Sequence, residues 1–209
     1  IGTYKLKNLE TIGSTGSPLI HESFDYIYAN IKKDVLVASL SGGTDIVGCF
    51  IGGNPMSVVR RGEIQGPILG MDVHVYDENA NSLKNEKGEL VCIKSFPSMP
   101  LFFWNDNNNE KYHDAYFNKY ENVWCHGDYI LKTENDGFII FGRSDATLNP
   151  AGVRIGTAEI YRQVEQIEEV LEGLVVGQIW KGDTRVVLFV RLNENSNLTE
   201  ELIDKIKTK

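Results

Sequence analysis

Residues 142–160 hold the side chains best suited to phosphate chemistry, because two arginines, an aspartate and three glycines lie in one polar connector. Arg143 and Arg154 carry planar guanidinium groups that suit phosphate or carboxylate. Gly152 and Gly156 permit a close backbone approach or a positive φ. Connectors of this kind often carry function, because a rigid scaffold presents them. Taken alone, two arginines at this spacing are more often surface charges.

A Gly-Asp pair at residues 127 and 128 could bind paired hydroxyls. The carboxylate stands at the entrance of an apolar strand and can accept two hydrogen bonds from adjacent hydroxyls, as on a ribose. A hydrogen bond to a charged group contributes about 1.5–3 kcal/mol. Taken alone, such a pair is more often a turn in which the aspartate caps its own backbone. His126, just before it, is more often packed or solvated than catalytic.

Residues 42–45 form a third candidate cluster. Gly42 and Gly43 would let a flat ring or an acyl chain approach the backbone. The hydroxyl of Thr44 and the carboxylate of Asp45 could hold Mg²⁺ near phosphates. An equally good interpretation is a Gly-Gly turn before a helix. The Ser/Thr/Gly/Pro stretch at residues 14–18 is weaker still, because most such stretches are ordinary loops.

The first part of the chain must position two of these clusters. Residues 9–13 and 35–40 predict strands, and the apolar residues between them lie at helical spacing. Strand, loop, helix and strand in this order are typical of a parallel α/β sheet. Because ligands bind at the carboxyl ends of parallel strands, the polar loops 14–18 and 39–45 should share one edge.

After about residue 54 the pattern becomes antiparallel and barrel-like. Residues 72–77 alternate as a half-buried strand does, and 89–93 predict its neighbour. Strands on either side of Asn135-Asp136-Gly137 predict a hairpin. Residues 105–109 predict a surface turn and nothing more.

The last 65 residues predict an α+β unit. A helix with one apolar face should begin at Thr157, which can cap it. Residues 174–180 and 185–192 predict two strands, and a last helix should follow. The residues expected on the helix faces are Ile160, Val164, Ile167 and Leu171, then Leu198, Leu202 and Ile206.

Composition narrows the class of protein. A net charge of −8 argues against non-specific binding to nucleic acid or anionic lipid. The three cysteines are scattered and odd in number, which indicates free thiols in a reducing, cytoplasmic setting and disfavours a cysteine metal site. No membrane span or signal peptide is visible. Because the chain opens with Ile1, we expect it to be an excised piece of something longer.

Taken together, the order and spacing of these clusters resemble the adenylate-forming enzymes, which include acyl-CoA synthetases, luciferases and peptide-synthetase adenylation domains. Residues 142–160 are similar to the family's hinge and its following Gly-x-Arg segment. Residues 127–128 match its ribose-binding Gly-Asp, 43–45 its Thr-Glu motif, and 16–18 its Gly-Glu-Pro motif. The local forms at 41–46, 103–106, 124–128 and 148–161 are similar to acyl-CoA synthetases that activate acetoacetate. The resemblance runs from about residue 9 to the end of the chain.

The resemblance implies a division of the chain. Residues 1–144 would be the C-terminal portion of a large AMP-binding domain, with an α/β portion at 1–54 and a β-rich subdomain at 55–144. Residues 145–209 would begin a small, mobile α+β lid domain. The large domain would combine a parallel α/β sheet with an antiparallel, barrel-like subdomain.

The resemblance also implies an activity. Such enzymes use ATP and Mg²⁺ to convert a carboxylate into an acyl-adenylate and pyrophosphate, then rotate the small domain and transfer the acyl group to CoA. Asp45 would assist Mg²⁺, Thr44 would touch the α-phosphate, and Asp145 would be the hinge. CoA would meet Ala151 and Gly152. The nucleotide and acyl site would comprise Gly16, Ser17, Pro18, Ser39, Leu40, Ser41, Gly42, Gly43, Thr44, Asp128, Arg143 and Arg154.

Three departures from the family pattern qualify these expectations. Asp45 replaces a longer glutamate, so a water molecule would bridge it to the metal. Gly42 stands where acetyl-CoA synthetases have tryptophan, which leaves room for acetoacetate. The family's phosphate loop and its Gly-Lys motif do not occur in this sequence, so we expect the chain alone to be inactive.

Two alternatives remain open: another short-chain acyl-CoA synthetase, or a non-catalytic nucleotide-binding or interaction module. Strands 9–13 and 35–40 should be interior to a larger sheet in the family. We therefore also expect the isolated chain to self-associate through its exposed sheet edges.

Overall fold

A computed structural model describes residues 4–148, 150, 153, 155–181 and 183–209. The chain divides into two compact units, one ending at Ile140 and the other comprising Phe141–Lys209. Within the described ranges, no helix has the length and apolar character needed to cross a lipid bilayer.

The first unit begins with the predicted α/β segment. Strands β1 (Thr11–Ser14) and β2 (Leu36–Ser39) pair in parallel. Helix α1 (His21–Tyr26) continues into a π-helical turn (Ile27–Ile31) that connects the strands. A small core forms under this helix because its apolar face meets β2, and its buried residues are Phe24, Ile27, Val35 and Val37. The parallel α/β portion is thus confirmed.

The next segment differs from the prediction. Residues 39–45 were expected to form a loop, but β3 (Ser41–Gly43) pairs antiparallel with β4 (Gly48–Gly52), and β4 pairs with β5 (Gly66–Pro67). The Gly-Gly turn before a helix is therefore wrong as well, and antiparallel pairing begins before residue 54. A strand of three residues that contains two glycines has no alternation of apolar and polar side chains, so its sequence predicts a loop.

A four-stranded antiparallel sheet follows, in the order β6 (Val73–Tyr76), β7 (Lys87–Cys92), β8 (Trp124–Lys132) and β9 (Phe138–Arg143). The predicted hairpin is confirmed, and Asp136 adopts a φ of 62° in its turn. The four-stranded and three-stranded sheets are joined by an isolated antiparallel bridge, in which Ile64, just before β5, and Phe138 of β9 exchange backbone hydrogen bonds at 2.8 Å. They share a core that includes Phe50, Ile51, Val75, Leu90, Trp124, Ile130 and Phe138.

Residues 105–109 form the predicted turn, with Asn105 and Asn109 at positive φ, but helix α2 (Glu110–Tyr116), which follows it, was not predicted. The carboxylate of Asp106 accepts hydrogen bonds from the backbone N–H groups of Lys111, at 3.3 Å, and Tyr112, at 2.9 Å. This is how an aspartate satisfies the unpaired donors of a helix start. The run of asparagines therefore contains a helix-starting residue.

The second unit has the predicted α+β order: α3 (Thr157–Val164), β10 (Val170–Trp180), β11 (Asp183–Leu192) and α4 (Glu200–Lys207). Strands β10 and β11 form an antiparallel ribbon. The two helices contribute to a core whose buried members are Val164, Ile167, Val170 and Leu202.

Three details of the second unit correct the sequence analysis. Thr157 is the first helical residue rather than the cap; the cap position is Gly156, whose N–H donates to the Glu159 carboxylate at 2.8 Å. Leu171 lies on β10 and is exposed rather than on the helix face. Leu198 precedes α4 and is exposed as well. Leu171 and Leu198 extend the apolar spacing beyond the ends of α3 and α4, as does Ile167, which is buried but lies after the end of α3. Periodicity alone therefore misplaces the helix boundaries.

Candidate functional site

The carboxylate of Asp128 is fixed by a neighbouring strand. Strand β8 carries Asp128, and β3 carries Ser41, whose hydroxyl donates to Asp128 Oδ2 at 2.9 Å. Both residues are buried, with 8% and 7% of their surface exposed. A buried carboxylate must be hydrogen-bonded to avoid a large desolvation cost. Ser41 therefore orients Asp128 and satisfies part of its hydrogen-bonding capacity.

His126 links the same two strands. Its Nε2 lies 3.2 Å from the carbonyl oxygen of Gly42 and 4.0 Å from Asp128 Oδ2. Its ring packs on Phe50 with centroids 4.7 Å apart, and the side chain is buried. The imidazole thus ties the glycine strand to the strand that carries Asp128. The sequence favoured a packed or solvated His126 over a catalytic one; it is packed and buried, and it lies within the candidate site.

Thr44 and Asp45 occupy the turn between β3 and β4. Both are exposed, and the turn is closed by a hydrogen bond from the N–H of Val47 to the carbonyl oxygen of Thr44 at 3.2 Å. The Asp45 carboxylate accepts a hydrogen bond from the hydroxyl of Tyr116 at the end of α2. An exposed threonine hydroxyl and carboxylate, side by side, are accessible to a phosphate or a hydrated cation.

These residues fit Mg²⁺ only as a metal shared with a nucleotide. Mg²⁺ in phosphate sites keeps several waters and takes one or two carboxylates from the protein, and Asp45 can supply one. Within the described part of the chain, no three His, Cys, Asp or Glu side chains gather as a metal-binding group. A site built wholly from described protein ligands is therefore not present.

Gly42 is required by the backbone around it. A Cβ at this position would lie 2.1 Å from the carbonyl oxygen of Gly48 and 2.5 Å from the Cα of Cys49. The strand register shifts here between Ser41 and Gly42, as in a β-bulge. The glycine therefore has a structural reason independent of any acyl pocket, and its link to acid length remains a prediction.

Cys49 on β4 pairs with Gly42 on β3, and its side chain is half-buried. Burial raises the pKa of its thiol above the ordinary value. A thiol with a raised pKa stays protonated at neutral pH, and the protonated form is a poor nucleophile. Cys49 therefore has the character of a packing residue beside the site.

The two polar segments predicted at residues 14–18 and 39–45 begin next to each other. Ser14 and Ser39 are register partners at the carboxyl ends of β1 and β2, and the N–H of Leu40 donates to the carbonyl oxygen of Ser14 at 2.9 Å. The segments that follow β1 and β2 therefore start at one sheet edge, as predicted, although the second continues into β3 and is not a loop. Gly16 has a φ of 90°, a conformation that favours glycine. Ser17 is exposed and Pro18 is half-buried beside it.

The remaining predicted residues belong to the second unit or lie outside the described residues. Arg143 is exposed, and its Nε lies 3.7 Å from Asp145 Oδ1. Asp145 is also exposed, in a short 3₁₀ turn, Ser144–Ala146. Arg154, Ala151 and Gly152 are among the residues that are not described. Their predicted contacts with phosphate and CoA stay predictions.

Comparison with known proteins gives the family relationship. The chain is 57% identical over 207 residues to an acetoacetyl-coenzyme A synthetase from Rhizobium meliloti, covering 99% of this chain and 32% of that protein. It is 48% identical to an acetoacetyl-CoA synthetase from Xenopus tropicalis over 98% of this chain and 31% of that protein. The chain is a homologue of the acetoacetyl-CoA synthetases.

The fold agrees with this homology. The solved structure of an acetoacetyl-CoA synthetase from Streptomyces lividans matches with a TM-score of 0.85 and 42% identity, over 97% of this chain and 31% of that structure. The adenylate-forming ligase fold predicted from the motifs is therefore confirmed. No protein-family model matches the chain. The chain spans about a third of the length of the curated relatives it matches, at 32% and 31% of theirs.

Proposed function

We propose that this chain contributes the ribonucleotide and acyl subsites of an ATP-dependent acetoacetate–CoA ligase. In that reaction an acetoacetate oxygen attacks the α-phosphorus of ATP and pyrophosphate leaves. The thiol of CoA then attacks the acyl carbon of acetoacetyl-AMP, loses its proton, and AMP leaves. The observation that carries the proposal is the buried carboxylate of Asp128, held by Ser41 beside the Gly42–Gly43 backbone, in a homologue of enzymes named for this reaction.

Asp128 has the chemistry needed for a ribose. An ionised carboxylate offers two oxygens and about four acceptor positions, and Ser41 occupies one position on Oδ2. Two adjacent ribose hydroxyls are donors of the kind that such a carboxylate accepts. Because Ser41 fixes the orientation before a ligand arrives, less rotational freedom is lost on binding.

The other site residues take roles in charge stabilisation and domain motion. Thr44 would donate its hydroxyl to the α-phosphate, and Asp45 would contact Mg²⁺, through water where its short side chain does not reach. Bound Mg²⁺ would offset charge on the phosphates. Arg143 would bind ribose or phosphate oxygens, and Arg154 would contact the phosphate region of the nucleotide. We infer a hinge at Asp145 between residues 1–144 and 145–209, with Ala151 and Gly152 facing CoA.

Discrimination of the ribose tests the proposal. Wild-type chain should bind AMP more tightly than 2′,3′-dideoxy-AMP, because the latter lacks the hydroxyls that would donate to the Asp128 carboxylate. Asp128→Asn should weaken AMP binding by about tenfold or more, since a hydrogen bond to a charged group contributes about 1.5–3 kcal/mol. The same variant should bind the dideoxy nucleotide almost as wild type does. Isothermal titration calorimetry gives both affinities.

Asp136→Asn is the matched control for that experiment. It removes a carboxylate from the exposed turn of the β8–β9 hairpin, and it should leave AMP affinity unchanged. Circular dichroism of each variant separates lost folding from lost binding. Equal affinity of the wild-type chain for AMP and its dideoxy analogue would refute the role of Asp128, whatever the variants do.

The two alternatives predict different assays. A non-catalytic nucleotide-binding module is favoured by the absence of a phosphate-loop motif and a Gly-Lys motif from this sequence. ATP–pyrophosphate exchange with acetoacetate separates it from a ligase, and we expect none from this chain alone. For another short-chain acyl-CoA synthetase, exchange by the complete protein should prefer acetate or propionate over acetoacetate.

A further inference from the structure

The Asp45 carboxylate is attached to an aromatic side chain from a distant part of the sequence. Tyr116, the last residue of α2, donates its hydroxyl to Asp45 Oδ2. Within the described residues, Tyr116 supplies the one side-chain hydrogen bond to this carboxylate. The other oxygen, Oδ1, lies over the Gly43 backbone, where a Cβ would approach it to 2.3 Å. The carboxylate is thus held at one oxygen, above a strand that has no side chain there.

Tyr116 is itself firmly placed. Its ring stacks on the indole of Trp124 with centroids 3.7 Å apart and planes 12° apart. Phe103 and Tyr112 meet the same ring edge-on at 5.7 Å. Trp124 is 1% exposed and belongs to the main core. Stacked and edge-to-face aromatic pairs stabilise such a cluster beyond simple burial, so the phenol oxygen has little freedom to move.

The start of α2 is fixed as well. Asp106 accepts hydrogen bonds from the first turn of the helix, and the helix is seven residues long. Its last residue therefore has a defined position relative to Trp124. The sequence has no feature that links Tyr116 with Asp45, because 71 residues separate them.

We propose that Tyr116 is a positioning residue that presents Asp45 to the divalent cation of a bound nucleotide. Asp45 is an exposed turn residue, and an exposed carboxylate samples several rotamers, which costs free energy when it must be fixed. A phenol hydroxyl bonded to one oxygen restricts those rotamers and leaves the second oxygen as an acceptor. The inference rests on the proposed function, because it assumes a nucleotide beside Thr44 and Asp45.

The gain in ATP affinity caused by Mg²⁺ is the test. The chain is titrated with ATP in excess Mg²⁺ and again in EDTA. The dissociation constant in EDTA, divided by that in Mg²⁺, is then compared between variants. In Tyr116→Phe this ratio should fall about tenfold or more, as expected for one hydrogen bond to a charged group. Affinity for ATP in EDTA should stay at the wild-type value. A purely structural tyrosine would change both affinities together.

Tyr112→Phe is the matched control. Tyr112 lies on the same helix and in the same aromatic cluster, but its hydroxyl donates to the carbonyl oxygen of Pro100. It should keep the wild-type ratio. Asp45→Asn should lower the ratio at least as far as Tyr116→Phe, and the double variant should fall no further than Asp45→Asn alone.

Several results would overturn the inference. One is an unchanged ratio in Tyr116→Phe; another is an equal loss in Tyr112→Phe. Additive losses in the double variant would show that Tyr116 acts independently of Asp45. Failure of the proposed function looks different: the wild-type chain would then bind ATP neither with Mg²⁺ nor in EDTA. Near-ultraviolet circular dichroism, which reports the Trp124 environment, identifies any variant that has lost its packing.

Discussion

Two aspartates of the candidate site have opposite surroundings, and the difference fits different tasks. Asp128 is 8% exposed and receives a serine hydroxyl at 2.9 Å, which suits fixed recognition of neutral hydroxyls. Asp45 is exposed in a turn and receives a tyrosine hydroxyl, which suits a hydrated cation that keeps its own waters. The partner of each aspartate comes from a separate element, so neither arrangement can be inferred from the local motif.

Gly42 gives a prediction at the scale of a single residue. Gly42→Ala should destabilise the chain by about 1–3 kcal/mol, the usual cost of forcing extra volume into a packed site, because the new Cβ would collide with the backbone of Gly48 and Cys49. Urea unfolding followed by fluorescence measures the change. Gly66→Ala is the control: its Cβ would enter open space, and a change within about 0.5 kcal/mol is expected.

The same substitution also tests whether Gly42 indicates an acyl pocket long enough for acetoacetate. If Gly42→Ala is as stable as Gly66→Ala, the paired strands β3 and β4 have room for a side chain at residue 42. In that case the glycine would be explained by the acyl pocket alone. A clear loss of stability would mean that glycine at this position says little about which acid the parent protein prefers.

Among the elements, the β8–β9 hairpin should contribute a stability that depends on pH, through the ion pairs of Asp136 in its turn. Hydrogen bonds from Lys84 and then Lys132 hold the pKa of Asp136 below its ordinary value, with N···O distances of 3.2 and 3.4 Å. A carboxylate with a lowered pKa stabilises the folded state above its unfolded pKa. This contribution is lost as the pH falls through the lower, folded pKa.

Asp136→Asn should therefore lower the melting temperature at about pH 7, with the difference shrinking towards zero at about pH 2. Asparagine tolerates the positive φ of this turn, so the substitution removes charge and keeps the backbone. High salt should reduce the difference as well, since these groups are exposed. A difference that persists unchanged at acid pH would point to the turn conformation rather than to the ion pairs.

The elements also explain how far the sequence could be interpreted. Strands with clear alternation or continuous apolar runs, such as β2, β6 and β11, were predicted because burial imposes a visible pattern. Strand β3 and helix α2 were not. The first is short and rich in glycine, and the second follows a run of asparagines whose capping aspartate, Asp106, acts through hydrogen bonds to a backbone several residues later. Such contacts depend on tertiary geometry.

For the candidate site, the motifs identified the residues and the structure added their partners. Asp128, Thr44 and Asp45 were candidates from their residue types, and the resemblance to a family assigned their roles, whereas Tyr116 and the orienting contact of Ser41 required coordinates. A tyrosine in an aromatic segment has no local signal for a role at a carboxylate 71 positions away. Long-range pairing of this kind is what a single sequence does not encode in its periodicity.

At the scale of the whole molecule, the chain consists of two compact units whose boundary falls within β9, between Ile140 and Phe141. The fold matches about a third of a solved acetoacetyl-CoA synthetase, at 31% of its length. In the described part, β1 and β2 form a sheet of only two strands. Self-association through such strands stays a prediction, and sedimentation velocity over a range of concentrations measures it.

We propose that AMP binds where β3, the turn after it and the start of β8 meet. The most direct measurement is a titration of the isotopically labelled chain with AMP, followed by backbone amide shifts in NMR spectra. We predict saturable shifts concentrated at residues 39–45 and 126–128, and their loss in Asp128→Asn. Saturable binding that leaves both segments unshifted, or no binding at all, would contradict the account.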